Sequence, residues 1–535
     1  MDPLFLIGFA AAGKTTVGRA LAGRLSRRFL DLDEVIEEEA GEPVPSLVAH
    51  DLERFRKIEA AALRYVIEDA DRLGDAPIIA CGGGAAAHGK NLARMRAAGL
   101  VVTLAIDAKT AVARAADVTT RPLLAQPWRA VAELAASREP YYRRAHAIVD
   151  ASQRVDRVVD DVLAVADRYH QLGEQRHEAI LLGLGERSYP IALQPRLAEV
   201  LAPHRPSGRA VIISDDNVAP RWLDALRAAL GEAHASAPSL VVPAGEASKS
   251  FATYQDLCER LIRLGVDRAT TVIALGGGVV GDLAGFVAAT ALRGLAVVHV
   301  PTTLVAMTDS AIGGKTAIDS AAGKNLIGAF WQPRAVVAAL ETLTTLPARE
   351  RRAGFGELWK YALLDGEDMW SAVEACAAWA ADGGDPPGEL AEVIRRSAGY
   401  KAHVVVRDER ETRGLRVMLN LGHTLGHAFE TAAGGALLHG EAVALGLMAA
   451  CRVSQQVVGC APNLEERLAD ALTRSGLAAD FAPHLGEKAW DALSLDKKRS
   501  GSAVRFIAIR DVGRCEVVEL ELAELRRILR PSAAV

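Results

Sequence analysis

The sequence predicts an α/β protein in two parts: a P-loop parallel-sheet domain, then a Rossmann-like α/β domain continued by a mainly α-helical one. Three observations predict it. Gly8-Phe9-Ala10-Ala11-Ala12-Gly13-Lys14-Thr15 follows the apolar strand Leu4–Ile7 and opens a helix, the setting in which G-x-x-x-x-G-K-T grips a nucleotide triphosphate. Gly276-Gly277-Gly278-Val279-Val280-Gly281-Asp282 also follows a strand and opens a helix, which suits close approach of backbone to a dinucleotide pyrophosphate. Beyond about residue 341 strand signals become rare and helical patterns take over, broken at Gly383-Gly384, Pro386-Pro387 and Gly434-Gly435. At 535 residues the chain exceeds a single core. The expected division is 1–168, a linker at 169–177, then 178–340 and 341–535.

Taken in order, strands at Leu4–Ile7, Ile78–Ala80 and 101–106 alternate with helical stretches, a parallel layout. Val155, Val158, Val159, Val162 and Ala166 recur at helical spacing and close the first domain. The polar, unpatterned run 170–177 reads as linker. A second α/β pattern has strands at 179–182, 210–214, 240–242, 271–275 and 296–300, and 504–509 with 515–518 reads as a small hairpin.

The formal charge of −5 gives no reason to expect nucleic acid or an anionic membrane as partner. The apolar stretch 269–292 could span a bilayer by length, but its Asp282 and glycines divide it into strand, turn and helix. Six scattered cysteines without a C-x-x-C read as reduced thiols of a cytoplasmic protein. The chain enters its first strand almost at Met1, which leaves no room for a signal peptide.

In the first domain, backbone N–H groups from Gly8 through Ala12, Gly13 and Thr16 would surround phosphates. Lys14 adds a point charge and Thr15 a magnesium ligand. Asp31 and Asp33 flank Leu32 at a strand end, where alternate residues point the same way; they serve either magnesium and an acceptor hydroxyl, or a helix cap before Glu34. Arg56, Arg121 and Arg138 are isolated arginines near apolar runs, suited to bidentate recognition of a carboxylate. Gly82-Gly83-Gly84 allows a ligand close to backbone.

In the second part, Asp282 directly after the last glycine departs from the ordinary dinucleotide fingerprint and suggests a different topology. Asp215 with Asn217, and Glu246 with Lys249, are polar groups at strand ends that could meet ribose and nicotinamide. His423 and His427 lie one helical turn apart, His439 follows the Gly434-Gly435 break, and Glu357 sits in G-E-L-W-K. Two or three imidazoles with a carboxylate suit a catalytic zinc, although spacing does not choose three ligands from these four. Arg293, Lys315, Lys324, Lys360 and Arg416 are cations in apolar sequence, and the Gly-Lys loops at 313–316 and 323–325 are suited to a phosphate or carboxylate.

Residues 3–165 resemble shikimate kinase. The likeness is carried by the P-loop, D-L-D (31–33), F-R-K-I-E (55–59), the triple glycine, R-P-L-L (121–124) and R-E-P-Y-Y (138–142). It implies a P-loop kinase domain using ATP with Mg2+. Asp33 would hold and deprotonate the shikimate 3-hydroxyl and Asp31 would support magnesium. Arg56 and Arg138 would bind the shikimate carboxylate beside Gly82 and Gly83. Arg121 would contact phosphates from a lid, and Arg114 would lie near adenine. Two positions depart from the family: Ala11 and Asp51-Leu52 stand where it has Gly and Gly-Glu, the latter in the loop expected to carry Arg56.

From about residue 178 onward the chain is similar to 3-dehydroquinate synthase. The likeness rests on G-E-A-S-K (245–249), G-G-G-V-V-G-D-L-A-G-F (276–286), P-T-T-L (301–304), G-G-K-T-A-I-D (313–319), G-K-N (323–325), L-N-L-G-H-T-L-G-H (419–427) and H-G-E-A-V (439–443). It implies Glu357, His423 and His439 as ligands of Zn2+ or Co2+, with His427 a non-ligand near substrate. The NAD+ positions it implies are Asp215, Asn217, Glu246 and Lys249 at strand ends. Gly277, Gly278, Val279 and Asp282 follow in the glycine loop, then Thr302, Thr303, Asp309, Lys315 and Lys324. Asp309, Lys315, Lys324, Asn325, Lys360, Arg416 and Asn420 would line the substrate pocket. Arg293 would reach substrate phosphate across a homodimer interface formed by this half.

Together the resemblances imply a bifunctional enzyme of the shikimate pathway acting on small molecules. One half would phosphorylate shikimate. The other would convert 3-deoxy-D-arabino-heptulosonate 7-phosphate to 3-dehydroquinate and phosphate through a transient, NAD-dependent oxidation, with Lys14, Asp33 and Arg121 catalytic in the kinase and Lys315, Lys360, Asn325, Arg416 and His427 in the synthase. The alternatives are a first domain that binds nucleotide only as a regulator, and a second half that is a polyol dehydrogenase or another sugar-phosphate cyclase.

Overall fold

The computed structural model describes residues 2–115, 122–497 and 503–529. The chain divides into two compact units: residues 1–192 with 402–409, and residues 193–401 with 410–535.

In the first unit the strands are β1 (Leu4–Ile7), β2 (Phe29–Asp31), β3 (Ile78–Ala80), β4 (Leu100–Ala105), β5 (Ala147–Asp150), β6 (Ile180–Gly183) and β7 (Tyr189–Gln194). They lie in the order β2-β3-β1-β4-β5-β6-β7. Every pair is parallel except the β6–β7 hairpin. β1 is buried on both faces, which is why all four of its residues are apolar. Helices Lys14–Leu25, Leu52–Leu73 and Val155–Gln171 flank the sheet, and their apolar stripes join one core with its strands. Residues 173–177 form a 3-10 turn whose His177 ring packs against Tyr169 and His146, and Leu181 of β6 pairs with Ala147 of β5. Residues 402–409 complete this unit, with Arg407 3.8 Å and His403 3.9 Å from Glu139.

In the second unit β8 (Ala210–Asp215), β9 (Ser239–Val242), β10 (Thr271–Gly276), β11 (Ala296–Pro301) and β14 (Ala335–Ala339) form parallel ladders in the order β14-β11-β10-β8-β9. Between β11 and β14 an antiparallel hairpin inserts, β12 (Lys315–Ser320) with β13 (Gly323–Phe330). This corrects the reading of 313–316 and 323–325 as loops: Lys315 opens β12, and Lys324 and Asn325 lie on β13. The alternating exposure of β13 shows why glycine and lysine misled, since its exposed positions tolerate residues that usually mark turns. The rest is largely helical, closed by the β15 (Ala503–Asp511) and β16 (Arg514–Glu521) hairpin. All six cysteines are free thiols. No helix among the described residues is long and apolar enough to cross a membrane.

Candidate active sites

The first site forms where β1, β2 and β3 end. The loop after β1 turns back on itself with Gly8 at φ 141°, Ala11 at φ 60° and Gly13 at φ 91°. A side chain at Gly8 would lie 2.5 Å from the Leu104 carbonyl, so only glycine fits there. Ala11 carries a Cβ in a left-handed conformation, at a cost of about 1 kcal/mol. Lys14 Nζ donates to the carbonyls of Gly8 (3.0 Å) and Phe9 (3.1 Å), which folds the ammonium across the loop.

Thr15 Oγ1 donates to Asp31 Oδ2 at 2.7 Å, while Asp31 Oδ1 accepts from the Asp33 backbone N–H at 3.2 Å. Asp31 thus caps the helix Leu32–Ala40 and also accepts from the Thr15 hydroxyl. Asp33 has a different environment. Burial, then the charge of Asp31, lift its pKa to about 6. A Cβ at Gly82 would fall 2.9 Å from Asp33 Oδ1, so that glycine opens the space beside the carboxylate.

The expected effect of Asp51-Leu52 on an Arg56 loop is not what the structure has. Asp51 Oδ1 accepts from the Arg54 N–H at 2.9 Å and caps the helix Leu52–Leu73, so Arg56 rides on that helix. Arg56 Nη1 donates to Glu59 Oε2 at 2.6 Å. Glu59 is fully buried, and its pKa is raised by burial despite Arg56 and Arg138 nearby. Arg138 is buried near Gly83, and the Tyr142 hydroxyl donates to the Gly83 carbonyl at 2.5 Å. Arg114 Nη1 donates to the Ala151 carbonyl at 2.7 Å. Arg121 lies outside the described residues. Sequence reasoning missed Glu59 and Tyr142 as site residues; the i, i+3 spacing of Glu59 from Arg56 was the available signal.

The second site is built from three helices, Ala348–Asp365, His423–Ala433 and His439–Val457. Glycines let their backbones touch. A Cβ at Gly356 would sit 1.9 Å from the Gly440 carbonyl, one at Gly440 1.8 Å from the Ala353 carbonyl, and one at Gly446 1.9 Å from the Gly422 carbonyl. Each of the three residues Glu357, His423 and His439 adjoins one of these crossings. Consequently Glu357, fully buried, has Oε1 at 2.9 Å from His439 Nε2 and 3.2 Å from His423 Nε2. Glu357, His423 and His439 offer ligand atoms within 4.8 Å of one another, and so do His427, Glu430 and His439.

The donor set fits a divalent cation. His423 Nδ1 faces the Leu421 carbonyl at 3.1 Å and His439 Nδ1 faces Glu430 Oε2 at 3.3 Å, which leaves both Nε2 lone pairs toward Glu357. Burial opposes ionisation of Glu357, but Lys360 and His423 hold its pKa well below the usual carboxylate range. Burial likewise opposes charge on His439, yet the bonds to Glu357 and Glu430 raise it to about 10. His427 keeps part of its ring open to solvent; burial of the rest, then His423 and His439, lower it to about 3.

Behind the cluster, Lys360 Nζ lies 2.5 Å from Glu357 Oε2 and 3.8 Å from Asp309 Oδ1. Asp309, on a single π-helical turn Ala306–Ser310, also meets Lys401 Nζ at 2.9 Å and the Tyr361 hydroxyl at 3.1 Å. Lys401 and Tyr361 were absent from the sequence reading because no motif marks them. Arg416 is buried, with Nη2 3.3 Å from the Gly313 carbonyl, and Asn420 is exposed. Lys315 pairs with Glu411.

At the glycine loop, Gly278 opens the helix Gly278–Thr290 and Val279 continues it. Asp282 bonds Lys249 Nζ at 2.9 Å; burial lifts its pKa to about 6 against the lysine. Lys249 also meets Glu246 at 3.4 Å and the Asn325 side chain. Asp215 Oδ1 accepts from the N–H groups of Asn217 and Val218, both at 2.9 Å, and so shapes the strand end instead of projecting freely. A Cβ on Gly277 would meet Thr303 at 3.1 Å, and one on Gly278 would meet Ser310 Oγ at 2.9 Å. Thr302 Oγ1 and Ser310 Oγ are buried without a hydrogen-bond partner, which fits a polar ligand lying along this loop. Arg293 is exposed, and both it (φ 65°) and Leu292 (φ 50°) hold left-handed backbone.

Comparison with known proteins identifies both halves. Models of the 3-dehydroquinate synthase N-terminal and C-terminal regions match residues 239–353 and 354–499. The 3-dehydroquinate synthase of Rhodospirillum rubrum is 42% identical over 370 residues, covering 66% of this chain and 95% of that protein. That of Pelobacter propionicus is 43% identical over 356 residues, covering 65% and 97%. The chain belongs to the 3-dehydroquinate synthase family. It also carries a shikimate kinase domain, whose family model matches residues 10–167, so two enzymes of the shikimate pathway share one polypeptide.

Among solved structures, a 2-deoxy-scyllo-inosose synthase complexed with carbaglucose-6-phosphate, NAD+ and Co2+ is 26% identical. Its TM-score is 0.58, with coverage of 66% of this chain and 99% of that one. A 2-epi-5-epi-valiolone synthase from Streptomyces hygroscopicus with NAD+ and Zn2+ bound is 27% identical with TM-score 0.58, covering 64% and 95%. The synthase half therefore shares its fold with enzymes that bind NAD+ and a divalent metal.

Proposed function

We propose that the first domain phosphorylates the 3-hydroxyl of shikimate from ATP and the synthase half converts 3-deoxy-D-arabino-heptulosonate 7-phosphate to 3-dehydroquinate and phosphate. The observation that carries the second assignment is the convergence of Glu357, His423 and His439 beside Asp309 and the buried lysines Lys360 and Lys401.

In the kinase, Asp33 accepts the acceptor hydroxyl's proton, and Arg56 and Arg138 clamp the carboxylate while Gly82 and Gly83 admit the ring. Lys14 and Arg121 neutralise charge on the transferring phosphoryl group, with Thr15 and Asp31 placed for Mg2+ and Gly8, Ala12, Gly13 and Thr16 cradling phosphate. Arg114 flanks the adenine. Catalysis of this kind is mostly positioning and charge stabilisation.

In the synthase, Glu357, His423 and His439 hold Zn2+ or Co2+. The glycine loop with Asp282, Lys249, Glu246, Asp215, Asn217, Thr302 and Thr303 holds NAD+. When bound, these groups supply a Lewis acid at the oxidised hydroxyl and a reversible hydride acceptor. Lys360, with Asp309, positions the reacting hydroxyl, His427 stands within reach of a substrate proton, and Lys315, Lys324, Asn325, Arg416 and Asn420 bind the carboxylate and phosphate. The left-handed backbone at Leu292 and Arg293, which holds the exposed Arg293 outward, supports a homodimer in which Arg293 serves the other copy's substrate.

Metal-replete protein given the heptulosonate phosphate and catalytic NAD+ should release phosphate and form dehydroquinate with no net NADH. NADH accumulation on a polyol would support the dehydrogenase reading instead. For the kinase, ADP formation must depend on shikimate; a nucleotide-binding regulator gives none above background.

A further inference from the structure

The helix His423–Ala433 places His423, His427 and Glu430 on one face at i, i+4 and i+7. Glu430 belongs to none of the matched motifs, and its carboxylate is divided between two groups of the synthase site. Oε2 lies 3.3 Å from His439 Nδ1, and Oε1 accepts from Lys324 Nζ at 2.7 Å. The other nitrogen of the same imidazole, Nε2, lies 2.9 Å from Glu357 Oε1.

We propose that Glu430 is a positioning residue that fixes the tautomer and ring orientation of His439, so that Nε2 is presented as a metal lone pair, while holding the β13 lysine against the same cluster. The inference rests on the ligand set proposed above. An imidazole whose Nδ1–H is committed to a carboxylate is both oriented and more basic at Nε2, the carboxylate–histidine–metal arrangement. Because Glu430 joins His439 to Lys324, the exposed β13 lysine is tied to the histidine cluster through one carboxylate.

The test measures Zn2+ affinity by chelator competition, and the visible absorption of the Co2+-loaded protein, in full-length wild type, Glu430→Gln, Glu430→Ala, Lys324→Ala and His439→Ala. Glu430→Gln keeps the shape of the side chain and serves if the alanine variant does not fold. The expected result is a 10–100-fold loss of Zn2+ affinity in Glu430→Gln and Glu430→Ala, with a shifted Co2+ spectrum. Lys324→Ala should leave both readouts near wild type while raising KM for the heptulosonate phosphate. Zn2+ affinity within twofold of wild type in both Glu430 variants, with His439→Ala strongly impaired, would overturn the proposal. A wild-type stoichiometry of two ions that falls to one in Glu430→Gln would also overturn it, by making Glu430 a ligand of a second cation with His427. Undiminished affinity in His439→Ala would instead sink the ligand set itself.

Discussion

Asn in place of Asp33 should abolish the kinase and stabilise the fold. Asp33 sits where burial and Asp31 raise its pKa from 3.8 to about 6. The sign follows from linkage: between those values the folded chain binds the proton and the unfolded chain does not, so the Asp33 contribution to stability is fully present below pH 3.8 and is lost as pH rises through 6. At about 1.4 kcal/mol per pH unit, the ionised carboxylate costs the native state about 3 kcal/mol at pH 7. Asp33→Asn carries no charge and escapes this cost. The full-length variant should therefore show its first-unit unfolding transition at higher temperature than wild type at pH 7. The gap should close as pH falls to about 4, with shikimate-dependent ADP formation lost throughout. Hydrogen exchange at β1 and the helix Lys14–Leu25 assigns the transition to this unit. An offset that is absent at pH 7, reversed, or constant with pH refutes the reasoning. Wild-type kcat/KM for the kinase should fall below pH 6, since the base must be ionised.

Four further outcomes follow. Ala11→Gly should relieve the φ 60° strain and leave stability within about 1 kcal/mol of wild type, glycine's unfolded-state entropy offsetting the gain, with ATP affinity retained; thermal shift and KM for ATP check it. Gly440→Ala puts a methyl 1.8 Å from the Ala353 carbonyl, so the helices must part; we expect about 1–3 kcal/mol of destabilisation and weakened Zn2+ binding, read by denaturation and chelator competition. Arg293→Ala, at an exposed position, should change stability by less than about 0.5 kcal/mol yet raise KM for the heptulosonate phosphate. At substrate well below the raised KM, subunits of Arg293→Ala mixed with Glu357→Gln should show more synthase activity than the sum of the two alone if the arginine acts in the neighbouring copy. Removing divalent metal by chelation should silence both halves, with Mg2+ restoring only the kinase and Zn2+ or Co2+ the synthase; following ADP and phosphate separately distinguishes the two.

Much of the first site was legible because its parts are local. The P-loop, the Asp31/Asp33 pair and the triple glycine each occupy one strand end, and the backbone path there follows from a few neighbouring residues. The role of Asp51 was not: without the fold, Asp51-Leu52 ahead of Arg56 reads as loop, whereas Asp51 caps the helix that opens at Leu52. The β12–β13 hairpin was missed for a related reason, since the largely exposed strand β13 needs little apolar patterning and its Gly-Lys run imitates a turn. Lys401 and Glu430 escaped because their significance lies in what they touch across the fold.

The sequence alone determined which chemistries the chain could carry, since glycine loops, an i, i+4 histidine pair and the cations beside them depend on residue type and short spacing. Tertiary structure decided which of the four candidate ligands lie against the Glu357 carboxylate. Glu357, His423 and His439 come from three helices, and they meet because Gly356, Gly440, Gly422 and Gly446 have no Cβ and let those backbones come into contact. Such a crossing is a fact of packing between distant segments, and no periodicity along one helix records it.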